Sequence, residues 1–202
     1  MDWIGQITKR ASVWHIFKMK KTNTTIGIIG LLLVVTSCIA EVKLFRVDDF
    51  KTGVITGKAR GTIFNDYYPS NMLYVSDVDS SKRWTPNQTD IELAEKILRQ
   101  QITGINKNRP NQMDGCPIIH KRLNSYFRQY VVIKNTKDQR LIHINFYWDR
   151  HTIKDRLRGN SDMRLDYSSD YAVVFDGCSN FWSVNVNLDD NELTDFRVNG
   201  VG

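Results

Sequence analysis

The stretch "LIHINFYW", Leu141 to Trp148, alternates apolar side chains with mixed ones at a period of two. A strand projects successive residues to opposite faces, so Ile142, Ile144, Phe146 and Trp148 share one face. Leu141, His143, Asn145 and Tyr147 share the other. A second stretch, "FWSVNVNL", Phe181 to Leu188, sorts in the same way. Trp182, Val184, Val186 and Leu188 form its apolar side, opposite Phe181, Ser183, Asn185 and Asn187.

Three further strands are expected around these two, at Ser125 to Lys134, Asp170 to Asp176 and Glu192 to Val198. Turn-like "NTKD", "DGCSN" and "DDNE" separate them, which predicts a meander of antiparallel strands. The polar run from Asp149 to Ser169 is expected outside the sheet.

Upstream, "TPNQTDIELAEKILRQQI" has helical periodicity, with Ile91, Ala94, Ile97 or Leu98, and Ile102 on one side. Thr85 is the expected cap, with Pro86 at the first helical position and Gln88 completing a capping box. These elements predict an α+β fold in which one amphipathic helix packs on a curled antiparallel sheet of four to five strands. Residues 83–202 form that domain, and residues 38–82 are expected to be a tether with peripheral strands.

Tyr126, Arg128 and Tyr130 share a face of the first expected strand. If that face joins His143, Asn145, Tyr147 and Asn185, the sheet presents a candidate binding surface for a peptide, a glycan or an envelope protein. The same arrangement also suits the plain solvated face of an antiparallel sheet.

The formal charge of +6 is concentrated ahead of Cys38: five of 28 basic and one of 22 acidic side chains precede it, leaving 23 against 21. So nearly neutral a body argues against a nucleic-acid partner, which would require clustered cations. No HExxH, paired CxxC or GxSxG motif occurs, and His143, Asp149 and His151 lack metal-ligand spacing. "GVITGKA" fails as a phosphate loop because only three residues separate Gly53 from Gly57, and Ala59 follows Lys58. No catalytic residue, metal or cofactor is therefore assigned.

The segment "MKKTNTTIGIIGLLLVVTSC", Met19 to Cys38, has a dibasic start, a ten-residue apolar core from Ile26 to Val35, and small residues before a cysteine. This is the layout of an export signal over residues 19–37, with residues 1–18 expected to be an upstream start-site extension. "VTSC", Val35 to Cys38, resembles the lipobox of bacterial lipoproteins. The resemblance implies a diacylglyceryl group on the Cys38 thiol, cleavage after Ser37, and a membrane partner held through that lipid. An uncleaved membrane helix and a conventional signal are the alternatives. Ile39-Ala40-Glu41 has neither an aspartate directly after the cysteine nor a dense acidic run, so the expected location is the bacterial cell envelope, facing the periplasm by default, with surface display as the alternative.

With Cys38 lipidated, Cys116 and Cys178 remain as a candidate disulfide or as two separate buried thiols. The order of helix and strands resembles the cystatin-like fold. "LNSYFRQYVV", "LIHINFYW" and "FWSVNVNLDDNELTDFRVNG" resemble small lipoproteins of Bacteroidota-type bacteria, over about the last 80 residues. That resemblance implies no particular activity. The functional expectation is a lipid-anchored envelope protein with a binding or assembly role. The alternatives are an envelope hydrolase with a site assembled from distant residues, or a cystatin-like protease inhibitor.

Overall fold

The computed structural model describes residues 41–73, 75, 80–113, 115–149 and 170–201, all within one compact unit, Cys38–Gly202. The expected extension, signal segment and Cys38 lipid site lie outside the described residues, as does His151.

Seven strands form one sheet in chain order: β1 Val42–Arg46, β2 Lys51–Thr56, β3 Ala59–Phe64, β4 Tyr126–Lys134, β5 Arg140–Trp148, β6 Phe181–Asn187 and β7 Glu192–Val198. The helix α1, Gln88–Ile105, and a one-turn helix α2, Ile119–Arg122, lie between β3 and β4. The expected sheet of four to five antiparallel strands is thus corrected to seven strands with one parallel pair, β3 with β4. The chain must run back along α1 between those two strands, and such a crossover makes them parallel. The class remains broadly α+β.

Residues 42–64, where one or two peripheral strands are expected, hold three, whose periodicity is weak because β1 and β2 are short and their outer face carries Lys43, Lys51 and glycine alongside Phe45. The supposed phosphate-loop segment is instead part of a hairpin: Thr56 pairs with Ala59 around a two-residue turn, with Gly57 at φ 60°. Gly61 is required for another reason. A Cβ there would meet the Arg128 carbonyl oxygen at 2.6 Å across the parallel pair.

Seven strands at about 4.8 Å spacing would place the sheet edges about 29 Å apart if flat, far wider than a helix of about 10–12 Å. Yet α1 touches β1, β6 and β7, so the sheet curls around it. The inner face buries Ile63, Ile142, Ile144, Phe146, Trp182 and Val184 against Ile91, Leu98 and Ile102 of α1. Phe146 and Trp182 stack with ring centroids 3.6 Å apart.

The helix starts two residues later than its sequence predicts. Asn87 is the cap: its side chain accepts from the Asp90 N–H at 3.0 Å, and Asp90 Oδ2 accepts from the Asn87 N–H at 3.0 Å. Thr85 instead donates through Oγ1 to Asp66 Oδ1 at 2.6 Å.

Asp170–Asp176 is not a strand. Both edges of β5 are occupied, by β4 and β6, so no ladder is open to it there. Side chains satisfy its backbone instead. Gln129 donates to Asp170 O at 2.7 Å and accepts from Ala172 N at 3.2 Å. The Tyr147 hydroxyl donates to Ala172 O, and Asn199 donates to the carbonyls of Val174 and Asp176. The segment therefore crosses the outer face of the sheet, where Tyr171 joins Phe64, Tyr68, Leu73, Val131 and Ile133 in a second apolar cluster.

Candidate functional site

The register of β5 with β6 sets His143 opposite Asn185, Asn145 opposite Ser183 and Tyr147 opposite Phe181. All six belong to the outer face. Strand β7 adds Asp195 and Arg197 through an irregularity. Ser183 pairs with Arg197, but Asn185 pairs with Thr194, so the chain gains a residue opposite Val184. Asp195 takes a left-handed φ of 52° there, a conformation that Asp tolerates better than most residues. The bulge lets Leu193 and Phe196, three residues apart, both reach the core. The six outer-face residues of β5 and β6, with Asp195, Arg197, Tyr171 and Asn199, line a cavity of about 190 Å³.

A polar chain runs along its wall. His143 Nδ1 lies 2.6 Å from Asn185 Oδ1, and Nε2 lies 3.3 Å from Asn145 Oδ1. Asn185 Nδ2 donates to Asp195 Oδ2 at 3.5 Å and Asn145 Nδ2 to the Tyr171 hydroxyl, so an amide oxygen faces each His143 ring nitrogen. In the neutral ring the shorter contact, at Nδ1, takes the proton, and the approach of Nε2 to Asn145 becomes a hydrogen bond only in the imidazolium form. Asp195 Oδ1 also accepts from Arg197 Nε at 2.8 Å, so the charges at the rim cancel.

Burial lowers the His143 pKa below its ordinary value. Hydrogen bonds to Asn185 and Asn145 and the charge of Asp195 oppose that shift, while Arg197 adds to it. Burial also drives the Tyr171 hydroxyl above the usual phenol range, with the Asn145 hydrogen bond acting against it. Both side chains are therefore neutral near pH 7. The site offers amides, hydroxyls, a paired carboxylate and guanidinium, and aromatic edges.

Of the seven residues expected to share one surface, the structure brings together His143, Asn145, Tyr147 and Asn185. Tyr126, Arg128 and Tyr130 lie on the opposite, inner face, paired with Trp148, Phe146 and Ile144. All three are buried. Their placement follows from Glu95 of α1. Arg128 Nε lies 2.8 Å from Glu95 Oε1 as an ion pair, without the alignment of a hydrogen bond. The Tyr130 hydroxyl donates to the same oxygen at 2.9 Å, and Tyr126 donates to Ser179 O at 2.8 Å.

Sequence reasoning missed Tyr171, Asp195, Arg197 and Asn199. A signal for the β7 pair was present, since Leu193 and Phe196 cannot share a face of a regular strand.

Cys116 and Cys178 form a disulfide, which ties the segment before α2 to the start of β6. Among the described residues, no group of three or more His, Cys, Asp or Glu side chains is placed to hold a metal ion. None of the described helices is long and apolar enough to cross a membrane. No protein-family model matches the chain, and neither curated proteins nor solved structures yield a match.

Proposed function

We propose that the chain is an exported, lipid-anchored envelope protein that binds a neutral sugar residue of a glycan in the outer-face cavity. The observation that carries this reading is the composition of that cavity. Asp195 and Arg197 neutralise one another, and burial disfavours the charged form of His143, so the lining favours no charged ligand. The Ser183 hydroxyl, the remaining N–H of Asn185 and the aromatic side chain of Phe181 match the hydroxyls and C–H faces of a sugar. At about 190 Å³ the cavity is smaller than the roughly 300–1,000 Å³ of drug-sized sites, so it suits one residue of a polymer.

Export is supported by the leader sequence and by the disulfide, a bond that persists in oxidising compartments. Mass analysis of the mature amino terminus tests the anchor: an unmodified Cys38 still joined to Ser37 removes it.

Titration of neutral mono- and disaccharides, followed by NMR of the His143 ring and the tryptophan indoles, tests the ligand. Saturable shifts that vanish in Asn185→Ala support the reading. Capture of peptides with no response to any sugar overturns it.

A further inference from the structure

A second depression lies on the helix side of the fold, where the second half of α1 meets α2 and the turn into β4. Its volume is about 340 Å³, and its lining includes Arg99, Thr103, His120, Lys121, Arg122 and Ser125. Four of these six residues carry basic groups and none is acidic. Among the described residues, the nearby acids are committed elsewhere. Glu95 lies 2.8 Å from the fully buried Arg128 and 3.4 Å from Arg99, so one carboxylate faces two guanidinium groups. Asp149, whose N–H donates to Ser125 O, directs its carboxylate to Arg60 at 3.1 Å. Lys121 and Arg122 form no ion pair among the described residues.

The side chains are also oriented. Arg99 Nη1 donates to Asn124 Oδ1 at 3.0 Å, while its buried Nε–H has no acceptor. A chain of hydrogen bonds sets the histidine tautomer. The Ile119 N–H donates to Gln112 Oε1 at 3.0 Å, so the Gln112 amide group donates to Asn106 Oδ1 at 2.5 Å. Asn106 Nδ2 then faces His120 Nδ1 at 3.1 Å. Because Nδ1 must accept, the His120 proton sits on Nε2.

The concavity therefore gathers guanidinium, ammonium, imidazole N–H and hydroxyl donors with, among the described residues, one shared counter-charge at Glu95. Arg122 and Ser125 also line an adjoining groove of about 700 Å³ that includes Trp148, Pro117 and Asn180. An anion held at Arg122 would thus have room beside it for an organic group and an aromatic side chain against which to lie. We propose that this depression is an oxyanion site for a phosphate ester, with Arg99, Lys121, Arg122 and His120 receiving the phosphate and the Trp148 groove receiving the attached group. It is independent of the sugar cavity, from which it shares no lining residue.

The test is titration of the full chain with inorganic phosphate and then glycerol phosphate at constant ionic strength, read by the His120 ring signals. Burial, then Arg109 and Lys121, lowers the His120 pKa, and a bound dianion reverses that direction. Saturable binding is expected, with an upward shift of the His120 titration. The Lys121→Gln/Arg122→Gln double variant removes two exposed charges and should weaken binding at least about tenfold without changing thermal stability. Chloride acting as well as phosphate overturns the proposal, as does unchanged phosphate affinity in the double variant. Vesicles of phosphatidylglycerol form a second arm. Competition between vesicles and glycerol phosphate assigns a lipid headgroup as the source, whereas glycerol phosphate binding without vesicle binding assigns a soluble ester.

Discussion

Arg128 of β4 and Glu95 of α1 form an ion pair in the core, at 2.8 Å, with side-chain exposures of 0% and 2%. The pair is not isolated. Arg128 donates to the carbonyls of Tyr126 and Leu123 at 3.1 and 3.3 Å, and its guanidinium carbon lies 5.4 Å from the Phe146 ring centroid. Glu95 accepts from Tyr130 and lies beside Arg99. Desolvation offsets much of the attraction in such a pair, so its value to stability lies chiefly in what its disruption costs.

Removing one partner strands the other. Glu95→Ala is expected to destabilise the fold by about 3–5 kcal/mol, because Arg128 would remain charged in an apolar surround. The Glu95→Leu/Arg128→Met double variant is expected to be markedly more stable than either single one. Urea unfolding of the four proteins checks this. A double variant as unstable as the sum of the singles would mean that the charges are uncoupled.

A second buried arginine has no acid in direct contact among the described residues. Arg83 donates to the backbone carbonyls of Phe64, Asn65, Asp66 and Tyr68 and so shapes the turn leaving β3. Lysine has no planar fork to serve these oxygens together. Arg83→Lys should cost about 2 kcal/mol or more and speed proteolysis between residues 65 and 75. Unchanged cleavage in that segment would show that the turn holds by itself.

What was legible in the sequence follows from contrast between the faces of each element. In β5 and β6 the apolar and polar sets differ sharply, and their boundaries and inner faces could be read. In β4 both faces are buried, so Tyr126, Arg128 and Tyr130 could not be told from an exposed set by periodicity. The missing clue sat on α1: Glu95 falls four residues after Ile91 and three before Leu98, within the apolar stripe. A buried acid there requires a basic partner from the sheet. The outer-face cavity was half legible, because His143, Asn145 and Asn185 follow from strand parity. Tyr171 depends on a segment held by side chains, which leaves no period-two trace, and Asp195 depends on a bulge whose trace is the three-residue spacing of Leu193 and Phe196.

The disulfide closes the loop between the segment before α2 and the start of β6, with a sequence separation of 62. Chain-entropy bookkeeping gives about 4 kcal/mol for a loop of that size. Cys116→Ser/Cys178→Ser should lower the urea midpoint accordingly while leaving the core pair of Arg128 and Glu95 intact. An unchanged midpoint would mean that the reduced chain already holds the two segments together.

The final prediction concerns pH. His143 has a folded-state pKa below its ordinary value of 6.5, owing first to burial. For a base, that sign means the unfolded chain takes up a proton before the folded one does. Stability is therefore full above about 6.5 and falls as pH drops below it, by up to about 1.4 kcal/mol per pH unit, until the folded-state pKa is passed. His120 is shifted in the same direction and adds to the decline. Asp48 and Asp189 are lowered from 3.8, and their stabilisation is lost only in a more acidic window. His143→Gln should therefore make the decline between pH 6.5 and 5 shallower, leaving the His120 share and the loss below pH 4 in place. Because Asn185 donates to Asp195 as well as facing His143, the variant should also preserve the orientation of the rim. Urea midpoints at half-unit intervals from pH 8 to 4 check this, and an equally steep decline in the variant would assign the effect to another group.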